Sequence, residues 1–230
     1  MSQTLEYLTK VIQKRRPHQV ITANPIMIMA ALQDPAYMRM MKQAELIVPD
    51  GAGVVWAAGY VGNPVQERVA GYDLLHELMK TGQRRGWRVY LVGASSEVIE
   101  TAADRLKQLY PELKLVGFRD GFFGEKEDSD VIRAIREAEP DILLVGRSAA
   151  TQEPWIAQHK EELGVPVVMG IGGSFDVLSG KLKRAPSIFQ KLRLEWFYRL
   201  LQEPWRYKRM LVLPKFAMKV IREKENVQKP

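Results

Sequence analysis

The chain has 230 residues, 46% of them hydrophobic, with a net charge of +7 and no cysteine. This is enough for one sizeable α/β core, and it excludes disulfides and thiolate metal sites. His18, His76 and His159 show no metal-ligand spacing, which argues against a zinc enzyme.

The charge is unevenly placed. Residues 181–230 hold 14 Lys/Arg against 4 Asp/Glu, leaving 20 against 23 for the rest. A basic tail on a slightly acidic body predicts an anionic partner: lipid headgroups, phosphates or nucleic acid. The first ten residues lack a secretory apolar core, and no run of about 18 apolar residues occurs. The expectation is a cytoplasmic protein without a membrane span.

In chain order, residues 5–16 read as an amphipathic helix with Leu5, Leu8, Val11 and Ile12 on one side. A strand over 19–22 ends at Ala23-Asn24-Pro25, and Pro25 suits the first turn of a helix over 26–33. A second helix follows over 36–43. Glu45-Leu46-Ile47-Val48 forms the next strand and runs into Pro49-Asp50-Gly51-Ala52-Gly53. Asp50 therefore stands where a strand ends and a glycine-flanked turn opens a helix. In an open α/β sheet that is where ligands bind, so Asp50 is either a general base or a helix cap.

Further on, a helix over 74–83 precedes a strand over 88–92, and Gly93-Ala94-Ser95-Ser96 opens a helix reaching Leu109. That turn is either a phosphate cradle or a plain strand–helix connection. Strands over 113–118, 141–145 and 165–169 alternate with helices over 129–138 and 151–163. The last strand enters Gly170-Ile171-Gly172-Gly173, whose glycines let the backbone pack against a nucleotide or simply turn tightly. The alternation predicts an α/β fold with a mostly parallel sheet and helices on both faces. Asp128-Ser129-Asp130 matches a short metal-binding pattern, but it precedes a helix where such residues cap, and no metal site is assigned.

From Ala185 the pattern changes. Ile188, Leu192, Trp196 and Leu200 share a helical face, and Pro204 ends that helix. The stretch 205–222 alternates large apolar residues with cations, a pattern that suits a membrane surface. Arg199, Arg206 and Arg209 would share a face if the helix were continuous, and guanidiniums suit a diphosphate. The body is then residues 1–184, with a basic helical appendage over 185–230. Its apolar faces would also suit packing against a second copy in solution.

Several stretches together resemble the WecG/TagA/CpsF glycosyltransferases: T-A-N-P at 22–25, I-V-P-D-G-A-G-V-V-W at 47–56, E-R-V-A-G-Y-D at 67–73 and V-Y-L-V-G at 89–93. The set continues with G-I-G-G-S-F-D at 170–176, K-R-A-P at 183–186 and L-E-W-F-Y-R-L-L-Q-E-P at 194–204. The resemblance is nearest to the TagA-type branch of wall teichoic acid synthesis. It implies a Rossmann-like fold and an inverting transfer of N-acetylmannosamine from UDP to the C4 hydroxyl of N-acetylglucosamine on undecaprenyl diphosphate. No metal or other cofactor is implied, and the enzyme would work peripherally on the inner face of the cell membrane. Asp50 is then the base, with Thr22 and Gln152 as further active-site residues. Arg199, Arg206 and Arg209 would meet the diphosphate. Asn24, Gly51, Gly93, Gly172 and Gly173 would hold the UDP-sugar.

One run departs from the family pattern. Where members carry Gly-x-Pro-Lys/Arg-Gln-Glu, this chain has Arg147-Ser148-Ala149-Ala150-Thr151-Gln152-Glu153, keeping only the Gln-Glu pair. Another donor, UDP-N-acetylmannosaminuronate or UDP-glucose, is the alternative within the family. Outside it, a nucleotide-dependent oxidoreductase is disfavoured by the missing G-x-G-x-x-G fingerprint. A non-enzymatic basic module would show salt-dependent nucleic-acid binding, which the resemblance does not imply.

Overall fold

A computed structural model describes residues 1–224; the last six residues of the expected appendage lie outside the described residues. The elements in order are α1 (Ser2–Lys14), β1 (His18–Ala23), α2 (Pro25–Gln33), α3 (Pro35–Gln43), β2 (Leu46–Pro49), α4 (Ala52–Tyr60) and α5 (Gly71–Arg85). There follow β3 (Arg88–Gly93), α6 (Ser96–Leu109), β4 (Lys114–Arg119), α7 (Asp128–Glu137), β5 (Ile142–Gly146), α8 (Ala149–Leu163), β6 (Val167–Gly170) and α9 (Ser174–Leu178). The C-terminal helices are α10 (Ser187–Lys191), α11 (Glu195–Gln202), α12 (Tyr207–Met210) and α13 (Val212–Arg222).

The six strands form one sheet in the order β2-β1-β6-β5-β3-β4, with every pairing parallel. Successive side chains of a strand face opposite ways, and the central strands are apolar on both faces. Val89 and Leu91 of β3 join Ile142 and Leu144 of β5 in one core, with Leu75 and Leu78 of α5 and Ala102 and Leu106 of α6. Tyr90, Val92, Leu143 and Val145 point the other way and pack on Val131, Ile135 and Ile156 of α7 and α8. A third cluster seats α2 and α3 on Ile21 of β1. Strands buried on both faces are what a parallel sheet between two helical layers requires.

The connection from β3 leads outward to β4, whereas that from β5 leads back to β6. Their divergence opens a crevice at the carboxyl ends of β3 and β5, the usual ligand position in such sheets. The C-terminal helices close over the neighbouring part of the same edge. Phe216 of α13 is their buried anchor at 5% exposure, and α13 packs on α2 and α4. No helix among the described residues is long and apolar enough to cross a membrane.

Most element boundaries fall within a residue or two of those expected. The helix α8 starts two residues early; Pro154 lies inside it and removes one intrahelical donor. The expected helix carrying Ile188, Leu192, Trp196 and Leu200 is two. It breaks between α10 and α11, where Arg193 takes φ 60°, and α11 stops at Gln202 before a tight turn over Pro204–Arg206.

Candidate active site

At the end of β2 the backbone N–H groups of Asp50 and Gly51 both donate to the Ala23 carbonyl, at 3.0 and 3.3 Å. This ties the ends of β1 and β2 together and points the chain into α4. Gly51 is the capping residue of α4 and supplies no side chain, so Asp50 does not cap that helix. Its half-buried carboxylate instead faces the Gly71 N–H at the start of α5. A Cβ at Gly71 would sit 3.2 Å from the Thr22 side chain, so the two residues pack tightly and a larger residue there would have to push Thr22 aside. Burial pushes the Asp50 acid up to about 6, against the pull of Arg68 and the Gly71 N–H; nearby Glu195 adds to the rise. Such a group is ionised at neutral pH yet more basic than an ordinary aspartate, which suits a general base.

Asp50 opens on a cleft of about 400 Å³ between the body and the C-terminal helices. Asn24, Gly51 and Arg68 line it on one side; Trp196, Arg206 and Arg209 line it on the other. The Asn24 Oδ1 accepts from Ile26 and Met27, at 3.0 and 3.2 Å, so Asn24 caps α2 and offers only its amide nitrogen to a ligand. Thr22 is 9% exposed and lies beneath Gly71, where it supports the cleft floor.

The arginines converge despite the helix break. Arg199 and Arg206 both pair with Glu203, and Arg199 lies 3.8 Å from Asp176. Arg209 is buried enough for its ordinary acidity to rise, an effect reinforced by Arg206 and Arg199. Three cations share one region with one internal carboxylate between two of them, an arrangement that favours a multivalent anion.

Gly172 and Gly173 line a second cavity of about 400 Å³, in the crevice between β3 and β5, with Arg147 and Ser148 from the divergent turn; Gly93 is not in its lining and packs against Gly146 behind it. Gly93 has φ 139°, and a Cβ there would sit 2.3 Å from the Gly146 carbonyl oxygen. Only glycine lets β3 and β5 run this close. The Arg147 guanidinium lies 4.5 Å from the Phe123 ring centre and donates to the Phe123 carbonyl. Gln152 is 4% exposed; its Oε1 accepts from the Gly172 N–H at 3.0 Å, while its Nε2 donates to Glu153 at 2.9 Å. It holds the 170–173 loop from beneath. Glu153, itself 1% exposed, also accepts from Gln19 at 2.9 Å, and burial pushes its acid up to about 6.

Asp128 and Asp130 do not converge. Asp128 accepts from the Trp155 indole at 2.9 Å, and Asp130 pairs with Arg133. Among the described residues no three His, Cys, Asp or Glu side chains gather as metal ligands. Reasoning from sequence passed over Arg68, Glu195 and Glu153. Arg68 stands inside the 67–73 run and Glu195 inside the 194–204 run, but nothing in their spacing says that they meet.

Across residues 1–230 the chain matches the model of the glycosyl transferase WecG/TagA/CpsF family. It is 38% identical to an N-acetylglucosaminyldiphosphoundecaprenol N-acetyl-beta-D-mannosaminyltransferase of Bacillus subtilis, over 96% of this chain and 86% of that one. A protein of the same description from Staphylococcus aureus is 37% identical over 91% of this chain and 82% of its own. With an all-parallel sheet, a raised carboxylate at a strand end and arginines facing it, the chain belongs to the WecG/TagA/CpsF family of glycosyltransferases.

Proposed function

We propose that the protein transfers N-acetylmannosamine from UDP-N-acetylmannosamine to the C4 hydroxyl of N-acetylglucosamine on undecaprenyl diphosphate, with inversion and without a metal ion. Asp50 takes the hydroxyl proton as that oxygen bonds to the anomeric carbon. The bond to UDP breaks on the opposite side, and its electron pair leaves with the diphosphate. Arg199, Arg206 and Arg209 supply positive charge to the acceptor's diphosphate, in a site where fixed cations are worth more than in water. The UDP-sugar enters from the crevice bearing Gly93, Gly172 and Gly173, toward Gly51 and Asn24. The observation that carries this reading is one cleft shared by a carboxylate raised to about 6 and, from the C-terminal helices, Arg206 and Arg209. The descriptions of the relatives supply the sugar and the acceptor.

In this reading residues 1–184 form the catalytic part and 185–230 the membrane-docking part. Ile188, Leu192, Trp205 and Leu211 are each more than half exposed among the cations of that segment. Apolar side chains interleaved with positive charge suit the anionic inner leaflet of a cell membrane, where the lipid acceptor resides.

The test is incubation with UDP-N-acetylmannosamine and a short-chain lipid-diphosphate N-acetylglucosamine in EDTA. A lipid-linked disaccharide with a β linkage is expected, and none from the 4-deoxy acceptor. The Arg147–Thr151 turn borders the donor cavity and lacks the family's Gly and Pro, which favours a second reading in which the donor differs. Higher kcat/KM with UDP-N-acetylmannosaminuronate or UDP-glucose would establish that one instead.

A further inference from the structure

The guanidinium of Arg68 is shared between two carboxylates from opposite sides of the cleft. Its Nε donates to the Asp50 backbone carbonyl. Its Nη2 lies 2.5 Å from Glu195 Oε2 but 3.6 Å from Asp50 Oδ1. A guanidinium grips a carboxylate best through two parallel bonds, and here that fork is not closed on the adjacent Asp50. Glu195 is the first residue of α11, so the group drawing Arg68 away comes from the C-terminal helices. The Arg68 and Glu195 side chains are 27% and 28% exposed, which leaves the pair less screened than a surface one.

We propose that Glu195 is a positioning residue for the transfer reaction: when the C-terminal helices are seated, its carboxylate holds Arg68 off the Asp50 carboxylate and leaves Asp50 free to accept a proton. The inference rests on the reading of Asp50 as the base. It makes that base competent only when α11 is in place, so that the helices bearing the arginines also prepare the body's own carboxylate. The other charges facing Asp50 are Arg193, ahead of α11, with Arg206 and Arg209 beyond it. From α5 comes only the Gly71 N–H, and from the α2 side the neutral Asn24. Arg68 is the arginine that lowers the basicity of Asp50, and it remains when Glu195 is replaced. The change on removing Glu195 therefore reports on Glu195 and on the guanidinium it releases.

The experiment compares full-length wild type with Glu195→Gln and Glu195→Ser, using UDP-N-acetylmannosamine and the short-chain lipid-diphosphate acceptor. Two quantities are read: the pH dependence of kcat/KM, and the titration of ¹³C-carboxyl-labelled Asp50 by NMR. UDP binding by calorimetry checks that each variant is folded. In both variants the acidic limb of the rate profile and the Asp50 titration should move together to lower pH by about one unit, as expected when an opposite charge closes on a carboxylate. The kcat should fall while donor KM holds. An unmoved Asp50 titration in a folded variant overturns the proposal, whatever the rate does. Failure of the base reading appears separately, as a wild-type rate for Asp50→Asn.

Discussion

Arg206 Nη1 donates to Glu203 Oε2 at 2.9 Å, and the same carboxylate oxygen takes the Nε of Arg199. Two arginines assigned to a substrate diphosphate thus begin with an internal anion between them. Glu203 is 13% exposed, so this competition occurs largely out of water. The diphosphate must displace or share that oxygen. In Glu203→Gln the acceptor KM should fall several-fold, equivalent to about 1 kcal/mol for one partly buried pair, with donor KM unchanged. Steady-state kinetics with each substrate varied in turn checks this. A raised acceptor KM would mean that Glu203 orients the arginines more than it competes for them.

Phe216 seats α13 against the body. Its ring edge lies 3.8 Å from where a Cβ on Gly53 would stand, and the ring is 5% exposed. Phe216→Ala should cost about 3 kcal/mol of docking, the lower end for truncating a buried aromatic. Limited proteolysis should then cut beyond residue 184 much faster, while the body retains its own unfolding transition. Acceptor KM should rise more than donor KM. An unchanged cleavage pattern would show that other contacts hold these helices.

Glu153 gives a pH signature to stability. Its folded acid is raised to about 6 from an ordinary value of 4.5. Below both values it is protonated whether folded or unfolded and contributes no difference. Between them the folded state binds more protons, so stability falls as pH rises, and the full cost is present above about 6. A shift of this size amounts to about 2 kcal/mol. Glu153→Gln removes the titration, so its stability relative to wild type should improve by about that amount from pH 4.5 to 7. Chemical denaturation at several pH values measures the gap. A gap that does not vary with pH would mean that Glu153 does not titrate in this window.

The layered fold was legible because its signals are local. Apolar runs such as 89–92 and 142–145 sit between glycine-bearing turns and helix-length segments, and tertiary packing did not override them. Asp50 was legible for the same reason, at a strand end beside Gly51. The link between Arg68 and Glu195 was not, since these residues are 127 positions apart and meet only where the C-terminal helices fold back over the body. Helical periodicity puts the arginines on one face only in a continuous helix, a condition the break at Pro204 removes, and resemblance is what pointed to them. Arg199 and Arg206 converge instead through a shared carboxylate, which periodicity does not report. Gln152 was reached through resemblance. Its contact with Gly172 requires α8 and the turn after β6 to pack, and neither sequence alone nor helix propensity encodes that.

The most direct test of the account is acceptor-dependent UDP release by wild type and Asp50→Asn, measured in EDTA with UDP-N-acetylmannosamine and the short-chain lipid-diphosphate N-acetylglucosamine. Loss of a general base predicts a rate lower by roughly 10²–10⁴ with donor affinity nearly unchanged. A variant rate close to wild type would contradict the assignment of Asp50 as the group that activates the acceptor hydroxyl.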